Sequence, residues 1–272
     1  MKHAILSLGA LVLFACGHDA APATPDAPIS TDAPPGGRWL PHPGLTWQWQ
    51  LQGTVDQTVD AQVFDIDLFD TPKETIDALH RAGKKVICYF DTAYEPNRPD
   101  SGKLLPFIGD PIAGWPGQYW LDIRQKPVQD VMIGRVNLAV TKTCDAIEPD
   151  DVDVASNDTK LGITPADQLA FITILDHVVH KHDVAIALKN DLAQIPDLVD
   201  LVDFAIDEEC FKYNECDALT PFITRNKAVF QAEYTDTDLA AQGATVCPGA
   251  IQRNFDTIIK RVDLGVDRFS CR

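Results

Sequence analysis

Basic side chains are scarce in this chain. Its 272 residues carry 23 Lys and Arg against 40 Asp and Glu, a formal charge of −17. That balance argues against nucleic acid and anionic lipid surfaces as partners. It suits a cationic ligand, although an acidic surface also keeps an exported protein soluble. Several patterns that carry chemistry are missing as well. No Cys-x-x-Cys pair with matching His spacing exists, which removes the usual zinc frameworks. No Gly-x-Gly-x-x-Gly follows the first strand-like segment, which argues against a doubly wound, dinucleotide-binding sheet. Gly-x-Ser-x-Gly is also absent. The seven His lie near the N-terminus (His3, His18, His42) or on helical segments (His80, His177, His180, His182), so nucleophilic Ser-His or Cys-His catalysis has no support.

A long apolar run occurs only at the start. Lys2 and "AILSLGALVLFA" form a basic and then an apolar region too short for a permanent membrane span, so residues 1–15 read as a signal peptide. "LFAC" resembles a bacterial lipoprotein box, with Cys16 as the lipidated mature N-terminus and a bulky Phe14 as its departure. An ordinary cleaved signal is the alternative; export follows from both. Residues 16–37, rich in Pro, Ala, Asp and Thr, have almost nothing to bury and read as a disordered tether. Residues 38–272 then have the length of one sizeable domain. The expected location is a lipid-anchored position on an outer membrane or cell surface, or the medium, with the lipid as the only membrane contact and a monomer as the default state.

With Cys16 set aside, six cysteines remain. An even number in an exported domain points to disulfides, though six allow about fifteen pairings. Cys210 with Cys216 and Cys247 with Cys271 are the preferred local pairs, which leaves Cys88 with Cys144.

Short apolar, β-branched or aromatic segments alternate with amphipathic ones throughout the domain. The strand-like segments are "TWQWQL", "AQVFDIDLF", "KKVICYF", "CDAIEP", "DVAIALK", "VDFAID", "KAVFQAEY" and "NFDTIIK". Between them, "TPKETIDALHRAGKK" offers Thr71 as a cap, Pro72 at the first helical position and Glu74 to complete a capping box. "TPADQLAFITILDHVVHKHD" repeats the device with Thr164, Pro165 and Asp167. Eight strand–helix units predict an α/β protein, a single (β/α)8 barrel.

In such a barrel the strands' C-terminal ends form the functional face, and here those ends are acidic. Asp65 and Asp67, Asp91, Glu148 with Asp150 and Asp151, Lys189 with Asn190, Glu208 with Glu209, and Glu233 arrive strand by strand. A single Asp in that place commonly caps the next helix, but the set together predicts a site. Two carboxyl groups across a cleft suit acid–base chemistry, and glycoside hydrolysis is their commonest use. Trp47 and Trp49 on the first strand, Tyr89 on the third, and Tyr119 and Trp120 beside Asp122 supply flat faces for sugar rings or for core packing.

"VFDIDLFD", "VICYFDTAYEPNRPD", "GQYWLDIR", "CDAIEPDDVD", "IALKND" and "FAIDEEC", in this order, resemble glycoside hydrolase family 114, the endo-α-1,4-polygalactosaminidases, from about Trp47 to Cys271. The resemblance implies hydrolysis within α-1,4-linked galactosamine chains, a polymer that is cationic when deacetylated, with no cofactor and no metal. It places the catalytic Asp at Asp150 and the catalytic Glu at Glu208. Glu148 and Glu209 stand beside them as alternatives, and Asp151 replaces an Asn frequent in the family. In the mechanism it implies, Glu208 is the general acid, its pKa raised by neighbouring carboxylates, and Asp150 is the nucleophile or base. Asp67, Asp91 and Asp122 then pair with substrate ammonium groups, Lys189 and Asn190 bind hydroxyls or tune the nucleophile, and Trp47, Tyr89, Trp120, Glu148, Asp151 and Glu233 complete the substrate contacts. A non-catalytic glycan-binding barrel is the rival reading. A calcium loop in "EPDDVDVASND" lacks the central Gly and terminal Glu of an EF-hand.

Overall fold

The computed structural model describes residues 37–157 and 159–272. The expected signal peptide, Cys16 and nearly all of the tether lie outside the described residues. From Gly37 onward the chain folds as one unit. In chain order its strands are β1 (Trp47–Gln50), β2 (Val63–Asp67), β3 (Lys85–Asp91), β4 (Ile108–Pro111), β5 (Tyr119–Leu121), β6 (Ala146–Asp150), β7 (Ala185–Lys189), β8 (Phe204–Glu208), β9 (Val229–Tyr234), β10 (Asp256–Lys260) and β11 (Arg268–Ser270). The helices are α1 (Lys73–Arg81), α2 (Lys126–Lys142), α3 (Pro165–His180), α4 (Ile195–Leu198), α5 (Cys210–Tyr213), α6 (Thr220–Thr224) and α7 (Leu239–Arg253).

The eight expected strands are the eight parallel ones, ordered β1-β2-β3-β6-β7-β8-β9-β10 around a barrel. Two features are additions to that expectation. The antiparallel β4–β5 hairpin sits in the connection after β3, and β11 runs antiparallel along β10. The seam between β10 and β1 is closed by side chains. The Trp47 indole donates to the Asp256 carbonyl at 2.8 Å, and Arg268 of β11 donates to the Trp47 carbonyl at 2.8 Å. Gly243 of α7 makes room for the Phe269 ring of β11, because a Cβ there would meet that ring at 2.4 Å.

Alternation along each strand divides the apolar residues into two cores. Trp47, Val63, Ile87, Ala185, Phe204 and Phe230 fill the barrel, while Phe64, Ile147, Ile186 and Val229 point outward to meet the helices. Helix α3 begins as expected: Thr164 accepts from the Asp167 amide, Asp167 accepts from the Thr164 amide, and Pro165 fills the first turn. Such a box is worth about 1 kcal/mol. Helix α1 differs. Its N-cap is Pro72, without a side-chain cap, and Thr71 is not used as one. The Thr71 amide is bonded to the Asp67 carbonyl and its own carbonyl accepts from Lys142, which holds its backbone in the turn out of β2.

The three disulfides are Cys88–Cys144, Cys210–Cys216 and Cys247–Cys271, as preferred from the sequence. They close loops of 56, 6 and 24 residues. Loop-closure entropy makes the first the most stabilising, about 4 kcal/mol, against about 2 kcal/mol for the shortest. The expected result of denaturant unfolding is therefore a larger loss for Cys88→Ala with Cys144→Ala than for Cys210→Ala with Cys216→Ala. The reverse order would count against an entropic origin.

Candidate active site

The C-terminal rim opens into a cleft of about 1090 Å³. Its floor is organised by one buried cation, Lys189 at the end of β7. The Lys189 ammonium lies 2.7 Å from Asp150 of β6, 2.8 Å from Glu208 of β8 and 3.9 Å from Glu148. It also sits 5.3 Å from the centre of the Trp49 ring. Burial alone would discharge it, but Asp150, Glu208 and Glu148 outweigh that and hold its pKa well above the ordinary value. The two bonded oxygens of Asp150 and Glu208 can stand no farther apart than the sum of their distances to Lys189.

Each of these carboxylates is further fixed. The Asp150 carbonyl accepts from the Thr92 amide and hydroxyl at 2.9 and 2.8 Å, and its carboxylate accepts from the next amide, Asp151, at 2.8 Å. Glu208 accepts from the Tyr234 hydroxyl, and its own amide donates to Asn190 at 3.0 Å. Immediately after β6, β7 and β8 come Asp151, Asn190 and Glu209 with φ of 54°, 50° and 59°. Non-glycine residues in the left-handed region are strained, and here they lie at the mouth of the site.

The structure reverses one electrostatic expectation. Glu208 is held below the usual carboxylate range, not above it. Burial pushes it up, but the Lys189 charge, with hydrogen bonds from Lys189, Tyr234 and Asn190, outweighs burial. The raised carboxyls lie beside it. Asp65 is pushed up to about 7 by burial, and Glu148 well above its usual value by burial and then by the charge of Asp65. Their four oxygens are buried without a well-formed hydrogen bond among the described residues, and a proton held between the two carboxyls answers one oxygen of each. A second such pair is Asp91, raised to about 7, with Asp151, raised well above its ordinary value; burial leads in both.

Of the residues expected at the site, Asp150, Glu208, Lys189, Asn190, Tyr89, Asp151 and Glu148 converge on this floor. Glu148 and Asp150 both face the barrel interior, as alternation requires, but only Asp150 is bonded to Lys189. Glu209 lines the cleft and is ion-paired with Lys212 at 2.8 Å, away from Lys189.

Other expected contacts fall elsewhere. Trp47 lies deeper in the barrel, packed on Phe230 with its indole N–H spent on Asp256, because it begins β1 and does not end it. Trp120 is buried in the outer core. Asp122 is bonded to Arg124 at 2.8 Å and to Gln125 at 2.9 Å, outside the cleft. Glu233 faces out of the barrel, since Phe230 and Ala232 face in, and there it accepts from the Phe211 amide at 2.9 Å. Asp91 is enclosed, accepting from the Ala93 amide at 2.6 Å. Asp67 reaches the cleft, but its partner is Arg98, at 2.7 Å. These last three carboxylates are therefore engaged by the protein and do not stand free for an ammonium group.

Sequence reasoning missed Arg98, Tyr234 and two exposed aromatics of the cleft wall, Trp115 and Tyr213. Arg98 lies within a motif quoted above, and Tyr234 ends a recognised strand, so both were in view without a partner to reveal them. Among the described residues, no group of three or more His, Cys, Asp and Glu side chains is placed to hold a metal ion.

A (β/α)8 barrel with two carboxylates facing each other at its C-terminal rim defines a glycosidase-type architecture. The chain belongs to glycoside-hydrolase family GH114, whose profile matches residues 29–272. The structure resembles that of Ega3 from Aspergillus fumigatus, solved in complex with galactosamine, with 38% identity, a TM-score of 0.82, and coverage of 86% of this chain and 98% of that one. The fold alone is shared with the glycoside hydrolase domain of PelA from Pseudomonas aeruginosa, at 7% identity and a TM-score of 0.68 over 84% of this chain and 98% of that one. It is also shared with an α-galactosidase from Thermus thermophilus, at 15% identity and a TM-score of 0.52 over 81% of this chain and 59% of that one. A comparison with curated proteins yields no match.

Proposed function

We propose that this chain is an exported endo-acting glycoside hydrolase that cuts within α-1,4-linked galactosamine polysaccharide, with Asp150 and Glu208 as its two catalytic groups. The observation that carries the reading is the pair of carboxylates bridged by Lys189 at the floor of an acid-lined cleft. Eleven carboxyl side chains line that cleft against Arg98 and Lys212 in its wall and Lys189 in its floor, a balance that favours a cationic chain over a neutral one. Its volume of about 1090 Å³ lies just above the usual range for ligand sites, about 300–1,000 Å³, and has room for more than one sugar ring. Three disulfides support export. A lipid anchor at Cys16 and a monomeric state remain part of the proposal.

The chemistry follows from the spacing. Carboxyl groups about 5–5.5 Å apart act by double displacement, whereas a gap of about 6.5–9.5 Å leaves room for an attacking water. A shared ammonium 2.7 and 2.8 Å from one oxygen of each carboxylate keeps those two oxygens close and favours the narrow case. Asp150 attacks the anomeric carbon as the glycosidic C–O bond breaks, and Glu208 transfers its proton to the departing oxygen. Glu208 then takes a proton from water, which attacks the glycosyl ester, frees Asp150 and restores the α-configuration. Because Glu208 is held below its ordinary range, its protonated form is favoured in acid, and kcat/KM falls as pH rises to neutrality.

One observation favours a second reading. A carboxylate kept ionised by an ammonium, a phenol and an amide also suits a nucleophile, which would exchange the two roles. The test of the function is reducing-end release from deacetylated and acetylated polymer, with the first-formed anomer followed by NMR. Oligomers released as the α-anomer are expected; β-anomer would overturn the double displacement, and binding without release would favour a glycan-binding barrel.

A further inference from the structure

Two aromatic side chains of the cleft wall have no part in the chemistry above. Trp115 is 49% exposed and Tyr213 60% exposed, and both line the cleft. Large flat side chains held open to water mark surfaces that bind, because their apolar faces gain most from being covered. The other tryptophan of the cleft, Trp49, is buried in the barrel. Each exposed ring is carried on a fixed turn. Trp115 stands at the tip of the β4–β5 hairpin, where its amide donates to the Ile112 carbonyl at 3.2 Å and its carbonyl accepts from the Gln118 amide at 3.1 Å. The Ile112 amide donates to the Gln118 carbonyl at 3.0 Å, and Gly114 and Gly117, with φ of 85° and 91°, allow the turn. Among the described residues, no hydrogen bond, ring pairing or cation engages the Trp115 indole. Tyr213 ends α5, whose turn is closed by the Cys210–Cys216 disulfide and by the Glu215 amide on the Cys210 carbonyl at 2.9 Å. Its neighbour Lys212, 5.1 Å from the ring centre, is already ion-paired with Glu209.

The two rings stand on different sides of the catalytic floor. The hairpin follows β3 and α5 follows β8, while β6 and β7, which carry Asp150 and Lys189, lie between β3 and β8 in the sheet order. We propose that Trp115 and Tyr213 are the outer sugar-stacking platforms of the cleft, one to each side of the broken bond, and hold glycan rings beyond the two that share that bond. This rests on the hydrolase reading above and adds to it what sets the length of chain cut and the place of the cut. The galacto configuration gathers the C3, C4 and C5 hydrogens on one face of the pyranose ring, and those polarised C–H bonds meet the electron-rich face of an aromatic ring. A stiff aromatic supplies a wide contact at little entropic cost, and a fixed turn keeps it in place before the glycan arrives. With a platform on each side, the chain runs through the cleft and is cut internally.

The test uses the whole chain and a ladder of α-1,4-linked galactosamine oligomers from the trimer to the octamer, labelled at the reducing end, with products read by mass spectrometry. In Trp115→Ala and in Tyr213→Ala, the ratio of kcat/KM for the octamer to that for the shortest oligomer cut is expected to fall roughly five- to tenfold, through KM. Trp115→Phe and Tyr213→Phe keep a ring and are expected to keep most of that ratio. The preferred cut moves towards opposite ends of the octamer in the two alanine variants. Both positions are exposed, and a thermal melt checks the fold. Equal losses at every length, no loss, or cuts displaced in the same direction would overturn the inference while leaving the hydrolase reading in place. A second readout needs no cleavage. Trp115 is the most exposed of the five tryptophans, so the octamer is expected to shield from acrylamide the share of fluorescence that Trp115→Phe lacks. Shielding without cleavage would keep the platform and remove the hydrolase reading; neither shielding nor cleavage would remove both.

Discussion

Glu208→Gln and Asp150→Asn are each expected to lower hydrolysis of the polymer at least a thousandfold while the barrel remains folded. Both substitutions keep shape and remove the ability to carry a proton or a negative charge. General acid catalysis contributes roughly 10²–10⁴-fold by itself, and loss of the nucleophile removes the covalent route. Folding is spared because Lys189 keeps one carboxylate partner in either variant, at 2.7 or 2.8 Å. Residual activity above about a tenth in either variant would remove that residue from the chemistry. Truncation to Gly with added azide separates the roles. If Asp150 is the nucleophile, Asp150→Gly with azide yields the β-glycosyl azide by one displacement, and Glu208→Gly yields the α-azide by two. The opposite assignment of products would establish the exchanged roles that the low pKa of Glu208 favours.

Lys189→Met should have the second largest effect, on stability and activity together. The side chain is 2% exposed and is the cation that offsets Asp150, Glu208 and Glu148. Removing one partner of a buried ion pair costs about 3–5 kcal/mol, because the remaining charge is stranded. The cost depends on pH in a defined direction. Glu208 is lowered in the folded state, so its share of stability is present above its unfolded value and is lost as pH falls through the folded one. The variant is thus most destabilised near neutrality and recovers towards the parent in acid, where its carboxyls bind protons. Catalytically, loss of the ammonium lifts Glu208, so the alkaline limb of kcat/KM moves to higher pH. The rate at its maximum falls roughly a hundredfold, because Asp150 then loses the cation that positions it beside Glu208. Thermal melts at two pH values with a kcat/KM profile check both; unchanged curves would mean that Lys189 is only a packing residue.

Much of the barrel was legible because strand and helix signals are local. "KKVICYF" and "DVAIALK" announce buried strands by composition, and Thr164, Pro165 and Asp167 announce a helix start within four residues. The same logic misplaced the start of α1, since Thr71 satisfies a cap pattern yet its backbone amide and carbonyl are held by Asp67 and by Lys142, 71 residues away. The β4–β5 hairpin and β11 were not legible, as both take their order from surfaces formed by other parts of the chain.

The site divides along the same line. By itself the sequence determined which strand ends carry carboxylates, that Glu148 and Asp150 share one face of β6, and that six cysteines are available for three bridges. Those properties follow from spacing along the chain and from the two-residue period of a strand. Only the tertiary structure decided that Lys189 of β7 joins Asp150 to Glu208, that Arg98 occupies Asp67, that Glu233 faces out, and that Glu208 is lowered while burial lifts Asp65 and Glu148. Charge interactions depend on distance and on the exclusion of water, and both are set by strands far apart in sequence closing into one barrel.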